Sequence, residues 1–196
     1  IVAALTMMLG VFGAVSQFNF KRILSIHIIS QVGYMIMGLG LYTVWGLAGS
    51  ILHIVHNMVV KTGLFLFEGA TEEITGTGEL KNMGGLLSKY PWLGWGFLAA
   101  AMSLAGVPPL SGFFSKFVLL RASVEADNYW IMAAALITGF FTLFSMVKIF
   151  FYTFWGEPKP LPDSSANGTS RRLPWSWERI TPLLTERWAY FCIRRS

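Results

Sequence analysis

Long apolar runs separated by short polar loops set the pattern of this chain. Residues 1–17 carry no charge, and residues 23–42 contain His27 but no formal charge. Residues 47–70 are apolar except for His53, His56, Lys61 and Glu68. Residues 91–124 are too long for one straight span and are interrupted by Gly106-Val107-Pro108-Pro109, while residues 129–155 are apolar except for Lys148. A membrane-spanning helix needs about 20 mostly apolar residues. The pattern therefore predicts five spans, the first slightly short. The expected fold is all-α, a polytopic transmembrane helix bundle with one Pro/Gly-broken helix, built by residues 1–156. Residues 157–196 change character. Pro158, Pro160, Pro162, Asp163, Ser164 and Ser165 read as a linker. Residues 175–193 are apolar in places but interrupted by charges and Pro182, and read either as an interfacial segment or as an aberrant C-terminus.

The break in the fourth run is formed by Gly106, Pro108, Pro109 and Gly112. Proline removes a backbone donor and clashes with the preceding turn. Lipid cannot satisfy the freed carbonyls, so such a break survives only where protein or water covers it. Broken helices near mid-membrane recur in ion-translocating proteins. The plainer alternative is a kink with packing value only.

Composition supports the membrane reading: 54% of residues are hydrophobic and 13% charged, against about 25% charged in a soluble domain. That excludes disorder and an ordinary water-soluble enzyme. The net charge of +5 does not indicate a nucleic-acid partner, because +3 of it lies in residues 156–196. The single cysteine, Cys192, excludes a disulfide framework and a cysteine-based metal site. The chain opens at Ile1, inside an apolar run, and is expected to be a piece of a longer protein. Lys21, Arg22, Lys81, Lys89 and Lys159 fall on one side of the predicted spans, and Arg121 stands alone among basic residues on the other. Basic loops favour the cytoplasm, which places the Lys21, Lys81 and C-terminal side there, in a multi-pass protein of the cell membrane.

Three lysines and a glutamate inside apolar runs carry the chemistry. A charge at the bilayer centre costs at least about 2.5–3.5 kcal/mol, so these residues are expected to face a hydrated interior. His53, Asn57 and Lys61 share one helical face at four-residue steps, with His56 slightly around the helix. The stripe from His53 to Glu68 covers about 22 Å. Histidine and a buried lysine can both pass protons, and the stripe reads as a proton wire. Lys61 and Glu68 have a second reading as a structural ion pair, and Glu68 could also reach headgroups. Lys116 follows the break, beside the positive end of a new half-helix that would repel a protonated amine; snorkelling to the interface is its alternative. Lys148 is read either as a path residue or as a snorkelling one. His27 is either a hydrogen bonder near the start of its helix or an exit gate for protons. No nucleotide-binding glycine motif, zinc-protease motif or nucleophile triad occurs, so no catalytic residue, cofactor or metal site is assigned.

Three stretches carry a family resemblance. Lys21-Arg22-Ile23-Leu24-Ser25 followed by Ser30-Gln31-Val32-Gly33-Tyr34-Met35, then residues 53–67, then residues 104–116 occur in order. Together they resemble the antiporter-like proton-pumping subunits of respiratory complex I and of Mrp-type multisubunit cation/proton antiporters. The stretch around His27, the run after the histidines and the segment ending at Gly156 look most like the D subunit of Mrp antiporters. The resemblance covers about residues 1–156. It implies Lys61 as the central lysine of a proton channel, His53 and His56 as the relay beside it, and Lys116 as the terminal ionisable residue on the broken helix. Asn57 stands where relatives often carry a second histidine. The implied function is proton movement coupled to export of Na⁺ or another monovalent cation, with other hydrophobic subunits as partners. The alternatives are a proton-pumping subunit of complex I and a truncated, non-transporting fragment.

Overall fold

Two polar side chains start the long helices. The computed structural model describes residues 1–156, and the expectations for residues 157–196 lie outside the described residues. After α1 (Val2–Ser16), the Asn19 side-chain oxygen accepts from the Arg22 backbone N–H and opens α2 (Phe20–Gly40). Thr43 does the same for Gly46 and opens α3 (Val44–Thr75). Each cap satisfies an N–H that has no partner within its own helix. A 3₁₀ turn at Leu80–Asn82 and the one-turn α4 (Leu86–Lys89) lead to α5 (Pro91–Ala105). Pro91 takes the first helical position, where no intrahelical bond is lost. After the break come α6 (Ser111–Glu125) and α7 (Tyr129–Phe150), which runs on into a π-helical turn at Phe151–Trp155. Among the described residues there is no strand, only an isolated bridge between Asn19 and Glu79.

The fold is the expected all-α membrane bundle, with adjustments. Among the described residues, three helices are long and apolar enough to cross a membrane: Phe20–Gly40, Val44–Thr75 and Tyr129–Trp155. The fourth predicted span is realised as two 15-residue half-helices, α5 and α6. Helix α3 runs five residues past the predicted end at residue 70. Its last turns are polar, and the Thr71 and Thr75 hydroxyls bond back to the carbonyls of Phe67 and Thr71. The helix stops only at Gly76, which takes the left-handed conformation. Hydropathy ends where the apolar residues end; the helix ends where a residue can turn the chain.

Backbone bonds join the connections at one end of the bundle. Phe20 N–H donates to Gly78 O and Leu80 N–H to Phe18 O, both at 2.9 Å. These tie the α1–α2 turn to the loop after α3. The opposite end brings Arg121 over the Trp45 ring, 4.3 Å from its centroid.

Burial is layered along the helices. One apolar cluster includes Phe20, Leu24, Leu64, Phe97, Met146 and Phe154. A second contains Ala3, Met7, Tyr34, Met37, Leu119 and Ala135. Between them in the order of residues along α2 and α7 lies a buried polar layer of His27, Ser30 and Gln31 and of Thr138, Thr142 and Ser145, to which α3 adds His53 and Asn57. The outside is the reverse. Met58 is 67% and Val59 70% exposed, while their neighbour Asn57 is 6% exposed. Apolar residues face outward and polar ones inward, as a lipid solvent demands.

The half-helices approach closely at Gly112. A Cβ there would lie 1.8 Å from Ser103 O and 2.8 Å from His56 Nε2. The first neighbour is backbone and cannot step aside cheaply. Gly112→Ala is expected to force α5 and α6 apart, at the upper end of the about 1–3 kcal/mol typical of overpacking. Gly63, where a Cβ meets nothing within 4 Å, is the control. Thermal melting of the detergent-solubilised protein should show a lowered midpoint for Gly112→Ala and no lowering for Gly63→Ala.

Candidate functional site

The site begins with what the prolines leave undone. In a continuous helix, residues 108 and 109 would donate their N–H groups to the carbonyls of residues 104 and 105. Pro108 and Pro109 have none to give. The Lys116 ammonium takes both places, donating to Leu104 O and Ala105 O at 2.8 Å each. The lysine on the second half-helix thus closes the open end of the first. Gly106, at φ +88°, makes room: a Cβ there would sit 2.9 Å from Lys116 Cδ. The amine turns toward the carbonyl end of α5, the negative pole of that helix. This corrects the expectation that the positive start of α6 would dominate its surroundings. Snorkelling is excluded for this conformation, since Lys116 is buried. Its Nζ also lies 5.3 Å from the centroid of the Tyr34 ring. A cavity of about 300 Å³ opens beside the break, with Lys116, Tyr34, Pro108 and Phe140 among its lining residues.

The α3 stripe meets this break through two serines. His53 Nδ1 pairs with Ser115 Oγ at 3.1 Å, and His56 Nδ1 with Ser111 Oγ at 3.2 Å. Ser111 pairs onward with Ser103 Oγ at 3.2 Å. The two imidazole rings are 6.3 Å apart, centroid to centroid. The far nitrogen of His53 reaches Gln31 Oε1 on α2 at 3.1 Å. The Tyr34 ring lies 5.3 Å from that of His53 and gives its hydroxyl to Ala135 O on α7. Further along α3, Asn57 donates to His53 O, and the Lys61 ammonium donates to Leu24 O on α2 at 2.9 Å. Lys61, His53, His56 and Lys116 are all buried. A buried lysine on a backbone carbonyl and a histidine between two neutral partners can each exchange a proton without leaving an ion pair behind.

Three sequence candidates make no hydrogen bond to this set. Lys148 donates to Val15 O and Gln17 O, at 2.9 and 2.8 Å, and lies 3.8 Å from the Phe18 ring centroid. It closes the carbonyl end of α1, the pole that attracts a cation. Glu68 is buried, with Glu72 beside it and Lys21 as the nearby positive charge. The ion-pair alternative between Lys61 and Glu68 is overturned, because Lys61 turns to Leu24 O instead. His27 has no exposed surface and neither ring nitrogen has a protein partner. Among the described residues no group of three or more His, Cys, Asp or Glu could hold a metal ion.

Comparison with known proteins gives the family. The family described as NADH:quinone oxidoreductase/Mrp antiporter, TM, matches residues 1–142. The chain belongs to that family. It is 64% identical over 159 residues to the D subunit of the Na⁺/H⁺ antiporter of Alkalihalophilus pseudofirmus, covering 81% of this chain and 32% of that protein. The D subunit of the Na⁺/H⁺ antiporter of Bacillus subtilis is 38% identical, over 82% of this chain and 33% of the relative. Among solved structures, the Mrp complex from Dietzia sp. DQ12-45-1b matches with a TM-score of 0.79 and 37% identity, over 86% of this chain and 33% of its own. Respiratory complex I from Thermus thermophilus matches at 0.76 and 30% identity, over 81% of this chain and 34% of its own. The chain thus spans about a third of the length of these relatives.

The sequence reading did not single out Gln31, Ser103, Ser111, Ser115 and Tyr34, which the structure brings against its candidate residues. Ser111 and Ser115 had a signal: they stand four residues apart on the first turns after the break, on one face. Gln31 and Tyr34 had none, because uncharged polar residues in an apolar run do not reveal which neighbour they face. Lys148→Met should remove both bonds to α1 and its ring contact, at about 1–3 kcal/mol. Hydrogen exchange should quicken at the α1–α2 turn in this variant, while Lys61→Met should leave that turn unchanged.

Proposed function

We propose that this chain is the later-helix part of the D subunit of a multisubunit monovalent cation/proton antiporter, and that it conducts protons between Lys61 and Lys116. One observation carries the reading. His53 and His56, on the lysine-bearing helix, each engage a serine of α6, and α6 also supplies Lys116. The steps are proton uptake by one amine, passage through the imidazoles and serine hydroxyls with water at the remaining gaps, and release from the other amine. Charge on one lysine changes the proton affinity of the next. Sodium or another monovalent cation moves in exchange, and the other hydrophobic subunits of the complex supply the remainder of the route. The 64% identity to an antiporter's D subunit, against 30% to complex I, favours the antiporter over a quinone-reducing assembly. The protein functions as a transporter component, not as an enzyme.

Lys61→Gln and Lys116→Gln, placed in the complete subunit, keep an amide donor for the carbonyls but cannot titrate. Each is expected to abolish cation-dependent proton exchange in inverted membrane vesicles while the complex still assembles. Exchange at the parent rate in both variants would reject the reading.

The charge asymmetry adds an orientation, with Lys21, Lys81 and Lys89 in the cytoplasm. In a Cys192→Ser background, Lys89→Cys should react with a membrane-impermeant maleimide only from the cytoplasmic side. Glu125→Cys should react only from outside. The reverse pattern would invert the topology.

A further inference from the structure

Lys61 and His53 are eight residues apart on α3, about 12 Å along its axis. Direct proton transfer needs a hydrogen bond or one intervening water, so a link between them has to come from elsewhere in the bundle. Helix α2 offers it. Two contacts set the register of α2 against α3: Gln31 Oε1 meets His53 Nε2, and Leu24 O accepts from Lys61 Nζ. The helices run antiparallel, so stepping back along α2 advances along α3. Midway between these two pairs, at the same register, His27 falls opposite Asn57. Leu24, His27 and Gln31 share one face of α2 by their spacing, as His53, Asn57 and Lys61 share one face of α3.

Polar atoms at and beside this middle level lack protein partners. His27 is fully buried with both nitrogens unpaired; Asn57 Oδ1 and Gln31 Nε2 are unpaired too. His27 lies one turn before Gln31, whose side chain reaches His53 on α3, which places it toward the interior polar layer. Buried polar groups that find no protein partner are satisfied by ordered water, and a buried water takes two to four such partners. The atoms at this level supply that set. An amide oxygen and an imidazole nitrogen can accept from water, while the amide N–H₂ of Gln31 can donate to it.

We propose that His27 and Asn57 hold a short file of water across the α2–α3 seam, joining Lys61 to His53. His27 is a positioning residue for that water, and the inference rests on the proton path proposed above. The file extends the route along α3, from Lys61 past Asn57 to His53, then to Ser115 and the broken helix.

The test uses the complete multisubunit antiporter. His27→Leu and Asn57→Leu empty the level of polar atoms; His27→Gln and Asn57→Ser keep it polar without an ionisable group. In vesicles matched for assembled complex, the leucine variants should lose exchange by about 100-fold and the polar ones stay within about threefold of the parent, the scale of a displaced proton-transfer element. The double leucine variant should be no slower than the slower single one, since both remove the same water. Leucine variants that exchange at the parent rate overturn the proposal, and so do polar variants as slow as the leucine ones. If the leucine variants do not assemble, a cryo-EM map of the parent complex decides. Water density within hydrogen-bonding distance of His27 and Asn57 supports the file, and a dry seam overturns it. Lys61→Gln, measured alongside, separates the two readings. Loss of exchange there with active leucine variants removes only the water file, whereas parent-rate exchange in Lys61→Gln removes the path itself.

Discussion

The arrangement depends on one exchange of hydrogen-bond donors. Two prolines withhold the N–H groups that Leu104 O and Ala105 O would otherwise receive, and the Lys116 ammonium supplies the replacement. In a lipid solvent those carbonyls have no other donor, and leaving them bare costs several kcal/mol each. The same contact anchors the amine that the proposed function requires. Break and lysine are therefore one device. The break creates acceptors for a buried cation, and the cation makes the break tolerable. Gly106 and Gly112 belong to it because each clears space that a side chain would fill, the first beneath the lysine stem and the second against Ser103 O.

Around this device the bundle is stratified. Apolar clusters close each end of the interior, and the polar side chains are gathered between them. The polar layer is not a set of ion pairs. Lys61 and Lys116 each rest on backbone carbonyls, and His53 and His56 on serine and glutamine oxygens. Neutral partners suit groups that change charge. A buried carboxylate would bind the ammonium tightly and penalise its deprotonation, whereas a carbonyl can remain in place when the proton departs. Lys148 uses the same chemistry for a different end, closing α1 at the bundle's edge. An intramembrane lysine is therefore not by itself evidence of a conduction path; what lies beyond its nitrogen decides.

Much of the fold was legible from hydropathy, because lipid imposes a simple rule on helix length and composition. The spans follow from the apolar runs, the break from its glycines and prolines, and the inward placement of His53, Asn57 and Lys61 from helical periodicity. The errors came where a helix end depends on backbone conformation rather than on apolarity, as at Thr75 and Gly76. They also came where a long side chain could swing either way. The Lys116 stem can reach the start of its own helix or the end of the preceding one, and spacing along the chain cannot choose between them.

By itself, the amino-acid sequence determined that the chain lies in a membrane, that one of its helices is broken, and which titratable residues stand within apolar runs. These follow from local composition and from the chemistry of proline, and they need no neighbour. Only the tertiary structure decided what each of these groups touches: Ser115 and Gln31 for His53, Leu24 for Lys61, the orphaned carbonyls for Lys116, the end of α1 for the half-buried Lys148, and no protein partner for His27. The physical reason is that such contacts join residues far apart in the chain, and the register of one packed helix against another is a property of the assembled bundle.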